Sequence, residues 1–515
     1  MTPPARKPAR RAGPASRAAR PASQAGRPAA RDAREAAQPR RAAQDRQTAR
    51  PGSSRRPAAD PARTAAFDVL RAVAERDAYA NLMLPSVLRE RGLAGRDAAL
   101  ATELAYGTLR GQGTYDAILA VCSDRDLDQI DLPVRQVLRL GTHQLLATRI
   151  GAHAAVATSV DLARDVAGHR PAGFVNAVLR KVATRDLDAW IEIAAPSRAA
   201  DPIGYLAIRY SHPRWIVAAL RDALGEDAGG DMAETEAALA ADGTRPTVTL
   251  CATPGLASPE ELLTVSAGLA RWSPFGVYLA EGNPGGIAAV AQGRAAVQDE
   301  ASQLAALALT RADAHGRDSR WLDLSAGPGG KARLLAGLAG GREARLLAAD
   351  VRPHRAGLVR AATAATGRAG VVVADGTMPA WPRGAFDRVL ADVPCSGLGA
   401  LRRRPEARWR RTAANVAELG PLQRGLLAAA LDSARPGGVV AYVTCSPHLA
   451  ETRGIVTAVL AARGDVEVLD APAMLPEVPD LRCPAGDGLY AQFWPHRHGT
   501  DGIFLALLRR TSPAP

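Results

Sequence analysis

Apolar positions along the chain fall into three regimes. From residue 62 to about 190 they recur every three or four residues, the spacing of one buried helix face. Ala65, Val69, Leu70 and Val73 mark one such face. Leu82, Leu84 and Leu88 mark a second, with Asn81 as its expected cap, and Leu100, Leu104 and Leu109 a third over 98–109. Pro133 suits a first helical turn and precedes Val137, Leu138, Leu140, Leu145 and Leu146. Stretches 156–166 and 174–182 complete a predicted all-α bundle of about six or seven helices. Residues 191–290 are mixed. A helix follows Tyr210-Ser-His-Pro-Arg-Trp215, the run from Pro246 to Cys251 alternates as a strand, and 278–280 reads as another, together a small α+β subdomain.

From 291 to 510 short apolar runs alternate with helical stripes, the signature of a doubly wound, mostly parallel α/β sheet. Expected strands are 321–324, 346–349, 371–373, 386–391, 439–443 and a closing 503–508. Expected helices are 331–338, 355–365, 419–433 and 451–462, and a turn is predicted at Pro436-Gly437-Gly438. Ligands of such sheets bind beyond the carboxyl ends of the strands. The chemically distinctive residues sit at those ends. Ser325-Ala326-Gly327-Pro328-Gly329-Gly330-Lys331 follows the first strand, Asp350 the second, Asp375 the third, Asp392 and Cys395 the fourth, and Cys445 the fifth.

The net charge is +13, but residues 1–60 hold 14 Arg and one Lys against four acids, and so carry +11 of it. With almost no large apolar residue, that tail cannot bury a core and is expected to be a disordered, electrostatic arm. The folded body must therefore attract an anionic polymer through local patches. One candidate is Leu401-Arg-Arg-Arg-Pro-Glu-Ala-Arg-Trp-Arg-Arg411. There Arg402, Arg403, Arg404, Arg408, Arg410 and Arg411 flank an aromatic, a composition suited to phosphate contact and base stacking. Arg135, Arg139, Arg180 and Lys181 form a second, on the helical region. No apolar run is long enough for a membrane span, and no signal peptide is visible. The five scattered cysteines have no metal-ligand spacing, so no metal is expected, and a reducing cytoplasm fits them.

The glycine turn can bring backbone N–H groups and a helix start up to a ligand. Asp350 can accept both hydroxyls of a ribose, and Asp375 can meet an adenine amine. The turn lacks a phosphate-binding signature, which favours a nucleoside cofactor without phosphates. Cys395, in Asp392-Val-Pro-Cys395-Ser-Gly397, and Cys445, in Val443-Thr-Cys445-Ser446, are candidate nucleophiles if their thiolates are favoured.

Two resemblances organise these readings. Leu138-Arg-x-Gly-x-x-Gln-Leu145 and Gly173-Phe-Val-Asn-Ala-Val-Leu-Arg-Lys181 resemble the RNA-binding transcription-antitermination factor NusB. The paired Pro-Cys and Thr-Cys motifs resemble the RNA cytosine-5 methyltransferase family, in its RsmB (Sun, Fmu) type, where a NusB-like domain precedes the catalytic fold. The likeness covers about 62–510. It implies a NusB-like domain at 62–190, an RNA-binding subdomain at 191–290 and a methyltransferase domain at 291–510. S-adenosyl-L-methionine is implied as cofactor, bound by Ser325 to Lys331, Asp350, Asp375 and Asp392. A cytosine of 16S ribosomal RNA is the implied substrate and a monomer the implied state. Cys445 is implied as nucleophile toward carbon 6, Cys395 as the group assisting adduct release, and Asp392 as a contact to the ring. The turn reads S-A-G-P-G-G-K where the family has C-A-A-P-G-G-K, and of the family's later P-E-E-N only Glu451 matches. Alternatives are a methyltransferase of another RNA or of DNA, and a non-catalytic NusB-like RNA-binding protein.

Overall fold

The computed structural model describes residues 60–227, 230–280, 282–484 and 488–512, so the basic tail lies outside the described residues. The first helices run Pro61–Arg76, Ala80–Glu90, Gly95–Arg110, Gln112–Cys122, Leu132–Ala147, Ala152–Ala167 and Ala172–Val182. Asp60 caps the first, accepting the Arg63 N–H at 2.9 Å ahead of Pro61. Val69, Leu70, Leu104, Val137, Leu138 and Leu179 meet in one core. The second helix departs from expectation. Asn81 lies inside it and caps nothing, and Leu82 is 68% exposed. Its start is held from far away, by the Glu406 carboxylate accepting the Ala80 N–H at 3.2 Å. The helix Gln112–Cys122 was not among the expected elements, although Tyr115, Ile118, Leu119 and Cys122 share its buried face. Arg139, placed in a candidate patch, is instead held bidentate by Asp116, at 2.7 Å for each bond.

Helices Pro202–Arg209, Arg214–Leu224 and Ala233–Asp242 lead into a four-stranded antiparallel sheet. Its strands are β1 (Thr249–Ala252), β2 (Ser266–Leu269), β3 (Gly276–Leu279) and β4 (Ala295–Val297), in the order β2-β3-β1-β4. This sheet continues past residue 290, because β4 pairs with β1.

The second sheet contains β5 (Arg320–Asp323), β6 (Arg345–Asp350), β7 (Ala369–Val373), β8 (Phe386–Asp392), β9 (Ala434–Thr444), β10 (Val466–Leu469), β11 (Ala491–Gln492) and β12 (Phe504–Arg510). Their order is β10-β12-β9-β8-β5-β6-β7, with β11 on β12. β5 to β9 are parallel to their neighbours, whereas β12 is antiparallel to β9. Helices Glu300–Arg311 and Gly330–Gly340 pack on one face; Ala413–Ser433 and Arg453–Leu460 pack on the other. The long helix begins six residues before the expected 419 because Thr412 and Asn415 form a reciprocal capping box. The turn expected at 436–438 is a bulge inside β9: Phe386 pairs with Ala434, then Arg388 with Val439. Gly437 sits there at φ +78°, and a Cβ on Gly438 would crowd three backbone carbonyl oxygens. Among the described residues no helix is long and apolar enough to cross a membrane.

Candidate active site

The sheet's carboxyl edge gathers the strand-end residues. β5 delivers Ser325 to Lys331, and the turn is tied to the end of β6. The Gly327 N–H donates to one Asp350 carboxylate oxygen at 3.1 Å, and the Arg352 N–H donates to the other at 2.9 Å. Arg355 stands 3.3 Å from the same carboxylate and donates to the Gly327 carbonyl. A Cβ on Gly327 would collide with Asp350, and Gly329, at φ +110°, would carry one into Ala362. The turn thus presses backbone against the acid, which only glycine allows. Two of the roughly four acceptor positions of the Asp350 carboxylate are used, leaving capacity for a diol. Asp375 lies exposed beyond β7, one oxygen accepting the Thr377 hydroxyl at 2.7 Å and N–H at 2.9 Å. These bonds hold its carboxyl below the usual range.

Lys331 opens the following helix and turns back over the sheet edge, its ammonium donating to Asp392 Oδ2 at 2.8 Å. The Ser325 hydroxyl donates to the Asp392 carbonyl at 2.7 Å, joining the turn to the end of β8 twice. Burial works against the Lys331 charge, but Asp392, Cys445 and Asp323 raise its proton affinity above the ordinary value. Beneath lies Asp323, 1% exposed, with neither carboxyl oxygen in a hydrogen bond of ordinary geometry. Burial first, then the Asp392 charge, pushes it up to about 8. Asp323 was not among the expected site residues; an acid closing the strand directly before the glycine turn was the available signal.

β8 and β9 are adjacent and parallel, so the loops after them bring Cys395 and Cys445 together, sulfur to sulfur at 3.3 Å. Both are half-buried. Cys445 is the better thiolate. The hydrogen bond from Cys395 lowers its pKa most, with Lys331 and Arg404 assisting against burial and Asp392. The same contact drives Cys395 well above the ordinary thiol value. The two loops are braced by fully buried Glu451. Its carboxylate accepts the Ser396 N–H at 2.7 Å, the Ser396 hydroxyl, and the Gln423 amide at 3.2 Å. Ser396 and Ser446 hydroxyls meet at 3.1 Å, and the Gly399 N–H donates to the Cys445 carbonyl at 2.9 Å. Glu451, the single residue shared with the family's P-E-E-N, thus supplies the buried carboxylate of this brace. Ser396 and Gln423 were not anticipated, since nothing local distinguishes them.

The arginine segment requires correction. Arg408, 0% exposed, donates to the carbonyls of Arg110, Ser211 and Asp242, at 3.0, 3.2 and 2.6 Å. Arg410 donates to the carbonyls of Val73, Asp77 and Ala78 at the end of the first helix. Arg402 and Arg403 pair with Asp299 and Asp501. These four guanidinium groups are committed to the protein and join the helical region, the small domain and the Cys395 loop. Of the six, Arg404 is exposed, 5.3 Å over the Tyr79 ring, and Arg411 is part-exposed. Lys181 is exposed, and its ammonium donates to the Val121 carbonyl at 3.2 Å.

A mostly parallel sheet with a glycine turn after its first strand, an acid ending the next and an antiparallel β12 beside β9 fits the class of S-adenosylmethionine-dependent methyltransferases. Residues 311–509 match the family model of the 16S rRNA methyltransferases RsmB/F, and residues 60–184 match the NusB family. The chain is 52% identical to a Mycobacterium tuberculosis protein described as a methyltransferase, over 89% of this chain and 98% of that one. It is 32% identical to ribosomal RNA small subunit methyltransferase B of Pseudomonas syringae, over 87% and 96%. The crystal structure of PH0851 shares the fold, with a TM-score of 0.71 at 21% identity over 87% of this chain and 98% of that one. The chain belongs to the RsmB/F family, S-adenosylmethionine-dependent methyltransferases of ribosomal RNA.

Proposed function

We propose that the protein methylates carbon 5 of a cytosine in 16S ribosomal RNA through a covalent adduct on Cys445. The observation that carries this reading is the thiol pair, 3.3 Å apart at the ends of adjacent strands, with the thiolate favoured on Cys445. Carbon 5 of cytosine is a poor nucleophile. Addition of the Cys445 thiolate to carbon 6 makes it an enamine carbon able to attack an electrophile, splitting one hard step into two easier ones. When bound, S-adenosylmethionine supplies that electrophile as a sulfonium methyl group.

Ser325 to Lys331, Asp350 and Asp375 would hold this cofactor, and they fit it. Gly327 and Gly329 form a cradle that a side chain would fill, and Asp350 retains acceptor capacity for ribose hydroxyls. Asp392, anchored by Lys331, would meet the ring edge, where a hydrogen bond stabilises charge that develops on addition. Cys395 holds its proton more tightly than Cys445, so in the later elimination it can donate to the Cys445 sulfur as the sulfur–carbon bond breaks, while the carbon 5 proton passes to solvent water. Arg404 and Arg411 remain as the RNA-facing members of their segment. A base in structured RNA must be unstacked to reach this edge.

Trapping tests the reading. Cys395→Ala should accumulate a protein–RNA adduct that survives denaturing electrophoresis, and Cys445→Ala should form none. An adduct with Cys445→Ala would overturn the assignment of roles. Bisulfite mapping of ribosomal RNA from cells with and without the protein should reveal one cytosine that loses protection.

A further inference from the structure

At the opposite edge of the same sheet the amino ends of β5, β6 and β7 carry Arg320, Arg345 and Arg368. Arg320 and Arg345 are direct partners in the ladder. Leu346 pairs with Ala369, so Arg345 and Arg368 stand side by side as well. Neighbouring strands are ~4.8 Å apart, which sets three guanidinium stems in a row about 10 Å long. They line a cleft of about 400 Å³ with Trp321, Leu347 and Phe386.

None of the three side chains has a hydrogen bond or ion pair among the described residues. Two neighbouring carboxylates are already taken. Asp387 is held by Arg317 and Arg435, and Asp318 by Arg342 and Arg388. Like charges on adjacent strands destabilise a sheet. Such a row is relieved by an anion with several charges along one line. Other arginines of this domain stand singly without a side-chain partner among the described residues, but these three are adjacent across the strand ladder, whereas Arg355, Arg402, Arg403, Arg463 and Arg510 are paired with carboxylates.

We propose that this cleft binds the phosphodiester backbone of the ribosomal RNA substrate, at a segment remote from the methylated base. β6 spans six residues, placing the row about 17 Å of strand from the carboxyl edge. An RNA that reaches both edges wraps around the catalytic domain, whereas a short oligonucleotide fills the carboxyl edge alone. The proposal rests on the RNA substrate and not on the Cys445 chemistry, because it concerns binding without turnover.

The test compares the full-length protein with R320Q/R345Q/R368Q, measuring affinity for a 16S rRNA transcript and for a short single-stranded oligonucleotide across a salt series. Each phosphate contact to single-stranded RNA adds ~0.7 to the slope of log affinity against log salt. The triple variant should therefore lose about 2 from the slope for the transcript and bind it roughly tenfold more weakly at moderate salt, while oligonucleotide binding is unchanged. It should melt at the same temperature as the parent or higher, since repulsion is relieved. An unchanged slope and affinity for the transcript would overturn the proposal, as would equal weakening toward both RNAs. Should the triple variant not fold, R345Q alone should remove about one third of the slope change; no change there would overturn the proposal equally. Cys445→Ala should bind the transcript with the parent slope, so failure of the adduct chemistry and failure of this site give different results.

Discussion

The two edges of one sheet differ in how their polar groups are supported. At the carboxyl edge nearly every functional group has a dedicated partner: Asp350 with Gly327 and Arg352, Asp392 with Lys331, Cys445 with Cys395, Ser396 with Glu451. At the amino edge Arg320, Arg345 and Arg368 stand together with no side-chain partner among the described residues. The first arrangement positions atoms for chemistry, where small displacements cost much. The second stores uncompensated charge, which a flexible polyanion can satisfy without tight geometry. Substitutions at the first edge should therefore disable and destabilise, and substitutions at the second should weaken long-range RNA binding while leaving the fold intact.

The largest effect expected is at Cys445. Under the covalent reading, Cys445→Ala should lower methyl transfer to a ribosomal RNA transcript by about 10⁴-fold or more, the scale seen when a covalent nucleophile is removed. A loss below tenfold, with a tritiated methyl donor as readout, would break the comparison, since the thiol pair would then be packing.

Next comes the brace. Glu451→Ala leaves the Ser396 N–H and hydroxyl and the Gln423 amide without their acceptor in a buried site. Stranding buried donors costs about 2–4 kcal/mol in total. The thermal midpoint should drop by several degrees, and Glu451→Gln, which keeps one acceptor, should fall between variant and parent. Neither effect should occur with R345Q.

How much of this was legible depended on whether partners were local. Acids and cysteines closing apolar runs in an alternating pattern place themselves on one sheet edge, so Asp350, Asp392, Cys395 and Cys445 could be gathered without coordinates. The same holds for the glycine turn. Arg408 could not be read this way. Its three carbonyl partners lie 166 to 298 residues away, and composition cannot distinguish a guanidinium facing phosphate from one facing carbonyl oxygens. The start of the helix at Ala80 was misread for the same reason, because its carboxylate partner, Glu406, is 326 residues distant. The amino-edge row is invisible for a third reason. Arg320, Arg345 and Arg368 become neighbours only through strand register, which the apolar pattern alone does not reveal.

Asp323 is the exception at the carboxyl edge, an acid with no ordinary partner, and pH exposes it. Its folded pKa of about 8 exceeds the ~3.9 of an unfolded aspartate, so the folded state binds the proton more tightly. This contribution favours folding most fully below pH ~3.9 and is lost as pH rises toward 8. Asp323→Asn keeps the shape and removes the titration. The variant should show a flatter stability profile between pH ~4 and ~8, by up to about 1.4 kcal/mol per pH unit, and should be more stable than the parent at pH 8. Parallel denaturant midpoints for parent and variant across that range would show that Asp323 carries no buried proton.

The smallest effect separates positioning by a hydrogen bond from positioning by distant charge. Cys445 is favoured as thiolate first by Cys395 and only later by Lys331 and the exposed Arg404. Removing the thiol donor should therefore matter more than removing the guanidinium. The rate of Cys445 alkylation by iodoacetamide, followed by peptide mass spectrometry, gives its apparent pKa. Cys395→Ala should raise that value, because a hydrogen bond to the charged form is lost. Arg404→Gln should raise it by less, because a solvent-exposed charge is strongly screened. Added salt should erase the Arg404 effect and leave the Cys395 effect in place. If Arg404→Gln moves the profile more than Cys395→Ala, the carboxyl edge is governed by through-space charge, as the amino edge is, and the distinction between the two edges fails at its centre.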